Sequence, residues 1–249
     1  MKHVLTLEQF MNEGFNDPGI LKAFFMAGGP GSGKSYVASE LFGFPKGGAS
    51  SVSYSTGLKV INSDDAFEKM AKDAGFDLAN IANIPKDPEK WEELMKIRGR
   101  AKDVTRAREK NYLNGRLGMV IDGTGKNFDK IEKKRALLQD GLGYDTYMVF
   151  VNTSLEVALE RNRMRTRKLP DDMVALMWNE VQDNIGRFQK LFGNRNMFII
   201  DNSSYDNNET LKEIEKIVLK EVKKPVKNRT GITWLSMNDP KNKSKNKPA

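Results

Sequence analysis

Ala23-Phe24-Phe25-Met26-Ala27-Gly28-Gly29-Pro30-Gly31-Ser32-Gly33-Lys34-Ser35 is the stretch that decides the fold of this 249-residue chain. An apolar run of strand length enters a glycine-rich turn, and a helical pattern over Lys34–Phe42 leaves it. Continuous apolar runs suit strands that are covered on both faces. Residues 28–35 match G-x-x-x-x-G-K-[ST] in full. Glycines let the backbone aim successive N–H groups into a concave nest for anions, and the following helix adds its positive N-terminus. The pattern therefore assigns Gly28, Gly29, Pro30, Gly31, Ser32, Gly33, Lys34 and Ser35 to a phosphate cradle. In such a cradle Lys34 contacts the β- and γ-phosphates, and the Ser35 hydroxyl ligates Mg2+. The bland alternative is a strand–helix turn without a ligand.

Working outward, apolar runs of strand length recur at Leu58–Asn62, Gly118–Asp122, Thr146–Val151 and Asn196–Asp201, after Lys22–Ala27. Helical patterns lie between and after them, at Asp64–Ala74, Pro88–Leu113, Phe128–Leu142, Ser154–Arg163, Pro170–Leu191 and Asn208–Val222. Such alternation predicts an α/β fold with a mostly parallel five-stranded sheet between layers of helices. In Pro88–Leu113, residues Trp91, Leu94, Ile97, Ala101, Val104 and Ala107 mark an apolar stripe expected to pack in the core. Gly43–Leu58 reads as a mobile loop rich in Gly and Ser. The organisation expected is an N-terminal arm over 1–20, one domain over 21–223 and a disordered basic tail over 224–249. Within that tail, Gly231-Ile232-Thr233-Trp234-Leu235 either docks locally or stays free.

Parallel strands present their carboxyl ends on one rim, so acids there share the crevice with the cradle. Val60-Ile61-Asn62-Ser63-Asp64-Asp65 places two carboxylates at that rim. A carboxylate there can orient and deprotonate an attacking hydroxyl; equally, Asp64 or Asp65 can cap the next helix, or one caps while the other reacts. Val120-Ile121-Asp122-Gly123-Thr124 brings Asp122 and Thr124 to the same rim, to hold Mg2+-bound water, to position an acceptor, or merely to make a turn and cap. Arg161-Asn162-Arg163-Met164-Arg165-Thr166-Arg167-Lys168 holds five cations and no acid. Arg161 and Arg165, four apart, would share one helix face and could grip a transferring phosphoryl group when a lid closes. The alternative is a solvated basic helix end.

Composition excludes several other chemistries. There is no cysteine, so no disulfide framework, thiolate zinc site or Cys nucleophile is available, and His3 is the single histidine. No apolar run is long enough to cross a membrane, and Glu8 and Glu13 interrupt any signal-like stretch, so a cytoplasmic setting is expected. An N-K-x-D motif, which a Ras-type GTPase would carry, does not occur. The net charge is +8, but residues 223–249 hold eight basic residues and one acid, which leaves 33 basic against 32 acidic residues before them. The body is nearly neutral, so the charge speaks only weakly for a polyanionic partner.

Taken in order, these motifs resemble the P-loop kinase group that includes polynucleotide 5′-hydroxyl kinases and zeta toxins, over roughly residues 22–201. Gly28–Ser35, Ile61-Asn62-Ser63-Asp64-Asp65, and Glu160-Arg161-Asn162 through Arg165 to Pro170-Asp171 carry the polynucleotide kinase likeness. Asp122-Gly123-Thr124 is similar to a zeta-toxin signature. The resemblance implies a P-loop NTPase-type three-layer sandwich with an Arg-rich lid, and ATP and Mg2+ as cofactors. It implies that Asp64 is the general base, and that Arg161 and Arg165 are lid arginines. The acceptor it implies is a hydroxyl of a nucleic acid or nucleotide, with a UDP-amino sugar as the zeta-like alternative. A nucleotide-binding regulatory module with poor turnover is a third reading. One position departs from the pattern: the group commonly carries an arginine three residues after the base, where it engages the substrate's phosphate, and this chain has Phe67. A D-x-D-x-[TV] phosphatase signature is also absent, so no end-healing phosphatase domain is expected.

Overall fold

The computed structural model describes residues 15–44, 52, 53, 56–78, 87–165, 168–204 and 208–239. Five strands form one parallel sheet: β1 Lys22–Ala27, β2 Lys59–Ile61, β3 Met119–Asp122, β4 Asp145–Asn152 and β5 Met197–Asp201, in the order β2-β3-β1-β4-β5. The helices are α1 Lys34–Phe42, α2 Asp64–Asp73, α3 Pro88–Asn114, α4 Phe128–Ala136, α5 Leu155–Met164, α6 Asp171–Gln182, α7 Ile185–Phe192, α8 Asn208–Lys223 and α9 Arg229–Asn238. The chain winds outward from β1 to β2, returns through β3, and then crosses β1 to reach β4. That crossing is a topological switch point, where a crevice opens beyond the strand ends.

Alternate residues of the central strands serve opposite layers, as a period-2 backbone demands. From β1 and β4, Phe25, Met148 and Phe150 pack with Val181 of α6, and with Phe188 and Phe192 of α7. Phe24, Met26, Tyr147 and Val149 pack the other way, with Val37 and Leu41 of α1 and Leu211 and Val218 of α8. The expected three-layer α/β sandwich is thus present. A separate cluster joins α2 to α3 through Phe67, Ala71, Leu94, Ile97 and Ala101. The α3 stripe is narrower than expected: Trp91 and Val104 are exposed, and Thr105 continues the line of Leu94, Ile97 and Ala101. Among the described residues, Phe67 and Ala71 of α2, with Leu78 after it, pack on this face, and the α3 positions that meet them are the buried ones.

The C-terminal segment corrects the expected disordered tail as far as Asp239. Residues 229–238 form α9, and Val226, Trp234 and Leu235 pack against the core on the α7 side. The reason is a buried charge. Asp145 at the start of β4 pairs with Lys22 of β1 at 2.7 Å, with both side chains largely sealed from solvent. Its remaining lone pairs accept the backbone N–H groups of Lys227 and Asn228 at 3.0 Å. Asn228 then caps α9 through its side-chain oxygen and donates its amide to the carbonyl of Gln139 at 2.7 Å. A buried carboxylate requires such partners, and the chain after α8 supplies them. Residues 240–249, the rest of the predicted tail, lie outside the described residues, as does most of the Gly43–Leu58 loop.

Candidate active site

The cradle sits at the carboxyl end of β1 and leads directly into α1. Gly31 has φ +75°, and a Cβ there would lie 2.3 Å from the carbonyl oxygen of Ala158, so α5 packs against bare backbone. The Gly28 N–H donates to the carbonyl of Thr124 at 3.0 Å, tying the cradle to the loop after β3. Trp178 of α6 backs onto Gly29 and donates its indole N–H to the carbonyl of Thr153 at 2.8 Å. Inside the loop, the Lys34 ammonium donates to the Gly28 carbonyl at 2.7 Å.

Two acids, Asp122 and Asp64, act on that lysine, and a third, Asp65, acts on Asp122. Burial pushes the Lys34 ammonium below the ordinary lysine value; Asp122 opposes this, Arg165 adds to it, and Asp64 opposes it. Asp122 closes β3 directly beside β1. Burial raises its carboxyl above the usual range, Lys34 works against the rise, and the Asp64 and Asp65 charges increase it. Desolvation also raises Asp65, helped by Glu68 and Asp64 and opposed by Arg108. The charges of cradle, second-strand acids and third-strand acid therefore act on one another across a single crevice, as expected for a functional site.

Neither second-strand acid caps its helix. Ser63 is the N-cap of α2, and Asp64 and Asp65 occupy the first turn with their carboxylates on the rim. Asn127, not Asp122, caps α4. Asp122 instead accepts the amide of Asn62 at 3.0 Å on one oxygen. Its other oxygen is buried and lacks a hydrogen-bond partner among the described residues. A buried carboxylate oxygen without a partner, beside a phosphate cradle, fits a hard cation or its bound water. Thr124 contributes its carbonyl to the cradle through Gly28.

Asn62, between the second strand and its acids, links Asp122 to Asp64. Its amide nitrogen holds Asp122 while its side-chain oxygen accepts the Asp64 N–H at 2.8 Å. One side chain thus sets the spacing between the two acids. An amide between two acids, one of them two residues away in sequence, was a readable signal only for the Asp64 half.

The two arginines expected in a lid separate. Helix α5 ends at Met164, and Arg165 follows in extended backbone, so Arg161 and Arg165 do not share a helix face. The buried Asn162 amide bonds both ways with the backbone of Leu169, at 2.7 and 3.1 Å, and this closes the loop that ends the helix. Arg161 donates to the carbonyl of Asn202, just after β5, at 2.8 Å. Arg165 lies close enough for its charge to act on Lys34. Arg163, between them, is paired with Asp171. Thr166 and Arg167 lie outside the described residues.

A parallel sheet in this order, with a glycine-rich phosphate cradle after β1 and acids after β2 and β3, defines a P-loop NTPase-type fold of the kinase-like kind. Residues 24–189 match the model of the AAA domain family AAA_33, and the chain belongs to that family. No curated protein matches it. Among solved structures, the AvrRxo1-ORF1:AvrRxo1-ORF2 complex with sulphate ions aligns at 13% identity and a TM-score of 0.51, covering 96% of this chain and 80% of that chain. The PezAT toxin–antitoxin system of Streptococcus pneumoniae aligns at 13% identity and a TM-score of 0.48, over 88% of this chain and 98% of that one. The AvrRxo1-ORF1:-ORF2 complex with ATP aligns at 10% identity and a TM-score of 0.44, over 94% of this chain and 88% of that one. At 13% identity, the first of these is a likeness of fold, while function lies in the site. Among the described residues, no helix is long and apolar enough to cross a membrane.

Proposed function

We propose that this protein is an ATP-dependent kinase that transfers the γ-phosphoryl group to a hydroxyl of a nucleic acid or nucleotide. The observation that carries this reading is that the charges of Asp64, Asp122 and Arg165 all act on Lys34 of the cradle, whose ammonium is held on the Gly28 carbonyl. A module that only holds nucleotide has no need of an acid poised opposite the phosphates.

Backbone N–H groups of Gly29, Gly31, Gly33, Lys34 and Ser35 and the Lys34 ammonium would hold the triphosphate. Ser35 and Asp122 would hold Mg2+, which supplies charge neutralisation on the phosphate oxygens when bound. Asp64 takes the proton of the acceptor hydroxyl as its oxygen bonds to the γ-phosphorus and the bond to the β-phosphate oxygen breaks. Arg165 would balance charge on the transferring group, and ADP leaves with that bonding pair.

A cation near the base supports a phosphate-bearing acceptor. Phe67 is buried, and the guanidinium of Arg98, from α3, lies 5.0 Å above its ring centre and 3.5 Å from Asp64. Arg108 of the same helix acts on Asp65. The arginine that the resemblance expects at position 67 thus has a counterpart delivered from a neighbouring helix.

The test is transfer of labelled γ-phosphate to 5′-hydroxyl oligonucleotides, nucleosides and a UDP-amino sugar. Labelling of oligonucleotide or nucleoside is expected. Robust labelling of the sugar alone would replace this acceptor, and nucleotide binding without any transfer would leave a regulatory module.

A further inference from the structure

Asn202 follows β5, far in sequence from every motif above, yet it is only 4% exposed and touches three parts of the site. Its side-chain amide donates to the carbonyl of Ser32, in the middle of the cradle, at 2.7 Å. Its backbone N–H donates to the carbonyl of Asn152 at the end of β4, at 2.8 Å. Its own carbonyl accepts Arg161 from α5 at 2.8 Å. The contact with the cradle leaves no slack: a Cβ on Gly33 would lie 2.3 Å from the Asn202 amide nitrogen.

From these contacts we infer that Asn202 is a positioning residue for the phosphate cradle, and that it sets the aim of the Gly33 N–H. The reason is peptide geometry. The described peptide bonds are all trans, so the Ser32 carbonyl and the Gly33 N–H leave the same plane in opposite directions. Fixing the carbonyl toward Asn202 turns the N–H toward the concave side, where a phosphate oxygen would sit. Without that anchor the Ser32–Gly33 plane can rotate, because Gly33 at φ +81° carries no side chain to hinder it. A donor aimed before the ligand arrives needs no reorganisation when it binds. The glycine at position 33 is then required by the amide packed against it as well as by the turn. Arg161 holds the main chain of Asn202 in place, which gives this arginine a role away from the transferring group.

The inference rests on the reading of the cradle as a nucleotide site, and the test separates the two. Affinities for ADP and AMP are measured by calorimetry in the full chain, wild type and variant, so that their ratio reports the grip on the β-phosphate. The wild type should prefer ADP, and Lys34→Ala should lose that preference; a wild type without it would overturn the nucleotide reading and this inference together. Asn202→Ala is expected to shrink the ADP-to-AMP ratio by ~10-fold, the scale of one charge-assisted hydrogen bond to phosphate. Asn202→Asp keeps the shape, loses the donor and adds a negative charge, so it should shrink the ratio further and serves if the alanine variant fails to fold. If the wild type prefers ADP and both affinities fall together in the variants with the ratio unchanged, Asn202 is merely structural and the inference fails. An unchanged ADP affinity overturns it as well.

Discussion

The guanidinium of Arg98 lies 3.5 Å from a carboxylate oxygen of Asp64 and 5.0 Å above the ring of Phe67. The two side chains are 34% and 56% exposed, so the pair itself stabilises the fold little. Its significance is positional, because the ring restrains a cation beside the proposed base. In the proposed acceptor complex that cation would meet an anion carried by the acceptor.

Arg98→Gln should therefore move the unfolding midpoint by no more than ~3 °C, the scale of a surface pair with one ring contact. It should raise KM for thymidine 3′-monophosphate by ~10-fold or more, as expected for one charge-assisted contact. Thymidine, which lacks the phosphate, should lose much less. Equal losses on both acceptors would remove Arg98 from acceptor recognition.

Lys34→Ala and Asp64→Asn should each lower γ-phosphoryl transfer by at least ~100-fold, the scale of losing a transition-state contact or a base. Asp64 is on the rim and neither caps α2 nor fills the core, so Asp64→Asn should keep its unfolding midpoint. A near-normal transfer rate for that variant would shift the base to Asp65.

Asp65 carries a stability cost that can be read against pH. Desolvation and the neighbouring Glu68 and Asp64 raise its carboxyl above the ordinary value. The folded state thus favours the protonated acid more than the unfolded state does, and ionised Asp65 weakens the fold at neutral pH. Asp65→Asn should raise the melting temperature at pH 7, with a gain that shrinks as pH falls through the carboxylate range. A gain that grows toward acid pH would reverse the sign and refute the argument.

Truncation after Lys223 should destabilise the kinase-like body instead of only weakening nucleic-acid binding. It removes the two backbone donors from Asp145 and uncovers the Lys22 pair. Breaking such a buried arrangement costs ~3–5 kcal/mol, or a fall of ~6–20 °C in this size range. Gly231→Ala is a milder probe, since its Cβ would lie 2.2 Å from the Gly143 carbonyl; a cost of ~1–3 kcal/mol is expected by denaturant titration. A truncated chain that melts like the full one would show that α9 merely rests on the surface.

Much of this was legible in the residues. All five strands fall within a residue or so of their expected places, because each is a short, largely apolar run, and those of β1 and β4 are buried on both faces. The cradle was legible because its backbone conformation demands glycine at fixed spacing. The C-terminal helix was not, because Lys and Asn hide the few residues that dock. Arg98 was hidden for a related reason: its charge looks like any other on a polar helix face until α2 brings Phe67 and Asp64 beneath it.

By itself, then, the sequence determined the parallel α/β sandwich, the phosphate cradle and the identity of the acids after β2 and β3. These follow from local chemistry, namely periodicity, glycine tolerance and the strand ends on which acids fall. Tertiary structure alone decided which distant groups serve that cradle: Asn62 bridging Asp64 to Asp122, Arg98 over Phe67, and Asn202 on Ser32. Side-chain hydrogen bonds and ring contacts reach only a few ångströms. Partners separated by 170 residues, as Asn202 and Ser32 are, meet only after the sheet has brought the ends of β1 and β5 to one rim.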